Sequence, residues 1–144
     1  MSKLKIKVRF DYMGKSKGGK LFMGGKDSEH VAEEIRQHKV SLIRNIPVQG
    51  IHIEDIDMSQ EIYSIYDDIT GKRVTYAPVI ISLSADTIED LIRFTMKEEF
   101  RTIEILEPQE ITLSKHDIER FIFKTSEELK EYKNYLERRI DSWK

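Results

Sequence analysis

The sequence predicts an α+β domain: a ferredoxin-like split βαβ (β-α-β-β-α-β) sandwich with an added C-terminal amphipathic helix. Three observations carry that expectation. Residues 3–12 alternate strictly between polar and apolar, helical and strand-like segments then follow in the order of that fold, and the tail repeats apolar residues at helical spacing. At 144 residues, 39% hydrophobic and 35% charged, the chain is long enough for one core and short for two. We read it as a single domain, with 1–112 as the sandwich and 113–144 as a helical extension.

Leu4, Ile6, Val8, Phe10 and Tyr12 alternate with Lys3, Lys5, Lys7, Arg9 and Asp11, which is a strand with one apolar and one basic side. Residues 14–26 hold five of the seven glycines and read as a flexible loop or broken hairpin, with Leu21, Phe22 and Met23 returning toward the core. Asp27 or Ser28 can cap a helix from about Glu29 to Lys39. After Pro47 and Gly50, Ile51, Ile53 and Ile56 mark a short strand, and residues 61–85 read as a hairpin turning at Ile69 to Gly71. Pro78 in its second arm implies a bulge or an unpaired amide. Asp86 with Glu89 opens a second helix, burying Ile88, Leu91, Ile92 and Met96, and RTIEILEP is a strand stopped by Pro108. Ser114 with Asp117 can begin one helical stretch and Thr125 or Ser126 another. In the latter, Leu129, Tyr132, Leu136, Ile140 and Trp143 recur at helical spacing, so Tyr132, Leu136, Ile140 and Trp143 are the candidate interface.

The net charge of −2 conceals a segregation. Residues 1–26 carry eight Lys/Arg and one Asp, giving +7; the remainder carries 16 basic and 25 acidic residues, giving −9. Two uses of that polarity compete. One is docking on the acidic surface of another copy, which makes a homo-oligomer the leading expectation. The other is a phosphate-rich ligand, nucleic acid or nucleotide, held by Lys5, Lys7, Arg9, Lys15, Lys17, Lys20 and Lys26. Gly14-Lys15-Ser16 imitates the end of a phosphate loop, but the position five residues before Gly14 is Arg9 and glycines follow where a helix should start. The aromatic platform of a sheet that reads single-stranded RNA is also missing, Tyr76 being the one outward aromatic expected. The lysines then pair instead with Glu104 or with acids of the last helix.

No cofactor or metal site is expected. Without cysteine there is no disulfide or thiolate site. His30, Glu34 and His38 share a helical stripe without the order zinc enzymes use, and Asp55 and Asp57 lack a calcium loop. No nucleophile-base set or carboxylate pair is arguable, so a non-enzymatic module is expected. The N-terminus lacks a signal-peptide pattern and no stretch reaches transmembrane length, which predicts a cytoplasmic protein without a membrane partner.

Residues 79–108, VIISLSADTIEDLIRFTMKEEFRTIEILEP, resemble the end of the C-terminal extension of WYL-domain transcription regulators. Leu91, Ile92, Arg93 and Phe94 match its helix, and Ile105, Leu106, Glu107 and Pro108 match its closing strand. About thirty residues resemble it well and some ninety loosely, with KLKIKVRF and HVAEEIRQH imitating its start. No winged helix or WYL barrel accompanies them, and an acidic hairpin and a last helix are added. The resemblance implies a ligand-sensing or oligomerising role; it implies neither DNA binding nor a catalytic residue.

Overall fold

The structure, a computed structural model, describes residues 3–14, 25–69 and 71–142, with the side chains of 25–27 and 142 left out. Its elements are β1 (Leu4–Met13), α1 (Gly25–Asn45), β2 (Ile51–Asp57), β3 (Tyr63–Tyr66), β4 (Arg73–Ala85), α2 (Ile88–Thr95), β5 (Phe100–Glu107) and α3 (Lys115–Ser142). The strands form one antiparallel sheet in the order β2-β4-β1-β5, with β3 also on β4. That is the ferredoxin-like order. The extra strand does not disturb it, because β2 pairs with residues 80–85 of β4 and β3 with 73–76, so both run along one side of β4.

β1 keeps its alternation of faces: Leu4, Ile6, Val8, Phe10 and Tyr12 are buried, and Lys5 and Lys7 are exposed on the other face, where Arg9 is half-buried and Asp11 is buried. Val79, Ile81 and Leu83 of β4 extend the apolar face, and Val40 of α1 with Leu91 and Phe94 of α2 cover it. The Phe94 ring meets Phe10 edge-on with centroids 5.6 Å apart. Two glycines are needed for close approach. A Cβ on Gly14 would lie 2.7 Å from the Ser28 carbonyl oxygen in α1, and one on Gly50, whose φ is +77°, would lie 2.0 Å from Asp90 Oδ2.

Several boundaries differ from the sequence expectation. α1 starts four residues before Glu29 and continues past Lys39, burying Val40; Ser28 therefore lies inside the helix, its hydroxyl 3.0 Å from that of Thr75. α2 is capped by Thr87, not Asp86: the Thr87 hydroxyl accepts from the Asp90 amide. Its buried side chains are Leu91 and Phe94. The tail is one helix. Thr125 starts nothing, because its hydroxyl donates to the Phe121 carbonyl at 2.8 Å and the helix runs through. Ser114 and Asp117 do cap its start, each accepting from the other's amide at 3.1 and 2.9 Å.

Candidate functional site

α3 is placed unusually for an amphipathic helix. The side it turns toward α2 is charged. Arg120 approaches Glu89 at 4.0 Å, Arg93 approaches Glu128 at 3.5 Å, Lys124 holds Glu128 at 3.1 Å and Glu127 at 2.8 Å, and Arg139 donates to Glu98 at 2.7 Å. These pairings hold the Glu127 carboxyl below its ordinary range, through the Lys124 hydrogen bond, and raise the Lys124 ammonium. Glu128 is buried within the seam. The apolar stripe lies about a quarter turn away: Ile118, Ile122, Leu129 and Ile140 follow at steps of four, seven and eleven residues, and each is about half exposed or more.

Four interface residues were expected on this helix, and they separate. Tyr132 lines a crevice of about 430 Å³ with Arg93, Met96 and Glu99, so it serves the intramolecular seam; desolvation, with Glu98 and Glu99 nearby, raises its phenol. Leu136 is partly buried beside a second crevice with Tyr12 and Ile35. Ile140 is 51% exposed, and Trp143 lies outside the described residues. Ile118, Ile122 and Leu129 carry the exposed stripe. Dividing the helix at Thr125 hid the first two, although Ile118 and Ile122 stay in phase with Leu129 across the polar Thr125 and Ser126.

β5 adds to this surface. It is the last strand of the sheet, Arg101 through Glu107 are all exposed, and Ile103 and Ile105 are 42% and 45% exposed on the face that the helices cover elsewhere. Among the described residues seventeen large hydrophobic side chains are exposed, and eleven of them lie between Ile103 and Ile140. The apolar surface is therefore concentrated in β5, α3 and their connection.

The basic face is a different kind of surface. Lys5 and Lys7 are exposed, but Lys7 stands across from Glu104 and Lys5 across from Glu107 on β5. On the other side Ser59 holds the Asp57 carboxyl below its usual range by hydrogen bonds from side chain and backbone, and Lys7 adds to the effect. Charge thus alternates across the open face. Arg9 is engaged by buried Asp11, with Nε to Oδ1 at 2.8 Å, and that bond raises its guanidinium. Asp11 also accepts from the Tyr63 hydroxyl and lies 3.8 Å from Arg101, whose guanidinium sits over Tyr76; Tyr63 and Tyr76 stack at 5.4 Å. This network ties four strands together. Lys15, Lys17 and Lys20 lie outside the described residues, as do Leu21, Phe22, Met23 and the Lys26 side chain.

His30 contacts Glu34 at 2.9 Å on an exposed turn of α1, and the described residues hold no cluster of three or more His, Asp or Glu suited to a metal. No described helix is long and apolar enough to cross a membrane. No family model matches the chain, nor does any curated protein or solved structure.

Proposed function

We propose that this protein is a non-enzymatic interaction module of the cytoplasm that self-associates through the side formed by β5 and α3. One observation carries the reading: α3 meets its own domain largely through charged side chains, with Tyr132 and Leu136 beside them, and leaves Ile118, Ile122, Leu129 and Ile140 to solvent. A helix serving only its own fold buries the stripe and hydrates the charges. Exposing Ile118, Ile122 and Leu129 carries a hydrophobic penalty that a partner surface removes, at about 25 cal/mol per Å² of apolar area covered. The oligomerising role implied by the likeness to the WYL-domain extension points the same way, and a regulatory use of the assembly follows from that likeness alone.

Light scattering and sedimentation test this directly. A concentration-dependent dimer or larger closed oligomer is expected, and the double variant Ile122→Lys/Leu129→Lys shifts it to monomer while circular dichroism stays native. A wild-type protein that remains strictly monomeric at high micromolar concentration in low salt sinks the reading.

A second reading, phosphate-rich ligand binding, draws on the exposure of Lys5 and Lys7. It expects single-stranded oligonucleotide binding that falls steeply with salt and is lost when Lys15, Lys17 and Lys20 become Glu together. Binding that survives that triple change assigns it elsewhere.

A further inference from the structure

We propose that β5 pairs antiparallel with β5 of a second copy about a two-fold axis through Glu104, joining two sheets into one. The inference rests on the self-association reading and names its contact. It begins from the row of backbone N–H and C=O groups that an edge strand leaves without a sheet partner, a template for another strand. The side chains then select the occupant.

β5 is irregular in a symmetric way. Its pairing with β1 skips one residue near each end, Arg101 and Leu106. Thr102, opposite Arg9, and Glu104, opposite Lys7, therefore point to the open face, as does Glu107 opposite Lys5. Arg101 points there too, since it reaches Asp11 and Tyr76. Ile103 and Ile105, opposite Val8 and Ile6, point to the helical face. Read outward from Glu104 in both directions, the strand has an isoleucine on the helical face next and a charged residue on the open face three positions away, Arg101 on one side and Glu107 on the other.

In antiparallel pairing, directly opposed residues share a face. Centring the two-fold on Glu104 sets Ile103 against Ile105 of the second copy, twice, and Arg101 against Glu107, twice. An apolar pair and an opposite-charge pair thus recur by symmetry, and both are favourable cross-strand combinations. The central Glu104 residues are a like-charge pair, but each stands beside Lys7 of its own β1, so the middle row alternates Lys, Glu, Glu, Lys. A second copy fits this palindrome where an arbitrary strand matches half of it. Because the far side of the sheet is broken and acidic, the pairing stops at two copies.

The chain has no cysteine, so single introduced cysteines read the register. Opposed residues have Cα atoms about 4.5–5.5 Å apart, inside the range a disulfide spans. Glu104→Cys is therefore expected to give a disulfide-linked dimer under mild oxidation. Thr102→Cys puts its two sulfurs on residues about 13 Å apart along the strands, and is expected to cross-link at least about tenfold more slowly. Light scattering on both variants, reduced, accompanies the oxidation. A dimer that does not cross-link at residue 104, or does so no faster than at 102, overturns the β5 contact and leaves self-association standing. A monomer in every variant and in wild type overturns both.

Discussion

The two edges of the sheet are built to opposite ends. On the β2/β3 side the edge is interrupted between Asp57 and Tyr63, is bulged at Glu54, and carries Glu54, Asp55 and Asp57. Pro78 stands behind the interruption. Its carbonyl is directed at Arg36, and since the amide and carbonyl of one strand residue point the same way, its missing N–H faces the same gap. Arg36 of α1 fills that gap, donating to the carbonyls of Gln60 at 2.9 Å and Pro78 at 3.1 Å while Glu33 pairs with it. β5, by contrast, is eight residues long with isoleucines on one face. Interruption and charge on one edge, continuity and apolar side chains on the other, direct any sheet extension to β5.

The largest expected effect comes from unplugging the closed edge. Arg36 is buried, so Arg36→Met leaves two inward-facing carbonyls without their donor and should cost about 3 kcal/mol in denaturant unfolding. Amide exchange across 58–66 should rise with it. Stability within about 0.5 kcal/mol of wild type would mean that the break in this edge holds itself shut.

Next is the open edge. Ile103→Lys/Ile105→Lys changes residues that are nearly half exposed in the single chain, so folding stability should move by under about 1 kcal/mol while dimerisation weakens at least about tenfold. An unchanged dimer together with unchanged stability places the contact away from β5. The complementary change, Glu54→Val/Asp55→Val, removes two of the three acids of the opposite edge and should carry association beyond the dimer, seen as growth in scattering mass with concentration. If the mass stays at two copies, the interruption and Asp57 suffice to defend that edge.

Glu128→Ala should have a smaller effect. It takes from Lys124, 14% exposed, one of its two carboxylates and from Arg93 its partner in the seam between α2 and α3, with an expected loss of about 1 kcal/mol and faster exchange confined to α3. Uniform loosening of the sheet instead would show that α3 and the β5 edge are one cooperative unit.

How far these features were readable in advance depends on the range of the interactions that make them. β1 was legible because a period of two with five apolar residues on one side has one solution. The start of α1 was not: glycines at 24 and 25 signal a loop, yet the helix includes Gly25. Thr125 misled because its hydroxyl can either cap a new helix or bond back to the turn before, and only the common phase of Ile118, Ile122 and Leu129 on its two sides decides between them. The interface on α3 was half legible. Periodicity identified the stripe, but which part the domain covers depends on the contacts with Glu89, Arg93 and Glu98, which no spacing encodes. The pairing face of β5 was hidden for the same reason: its palindrome exists only once the irregularities at Arg101 and Leu106 have turned the side chains, and those arise against β1.

The smallest effect concerns pH and the closed edge. Ser59 hydrogen bonds hold Asp57 below the ordinary carboxylate range in the folded protein. A depressed folded-state value means that the stabilisation is fully present above the unfolded value and is lost as pH falls through the folded one. Asp57 therefore stays charged after ordinary carboxylates protonate, and the edge keeps part of its charge until the solution is more acidic than their midpoint of about pH 4. Scattering mass should hold at two copies through that midpoint and rise only below it. Asp57→Asn deletes a charge that outlasts that midpoint, so its rise should begin at higher pH. If the variant and wild type begin to grow at the same pH, Asp57 does not guard the edge, and the gap filled by Arg36 is what separates it from β5.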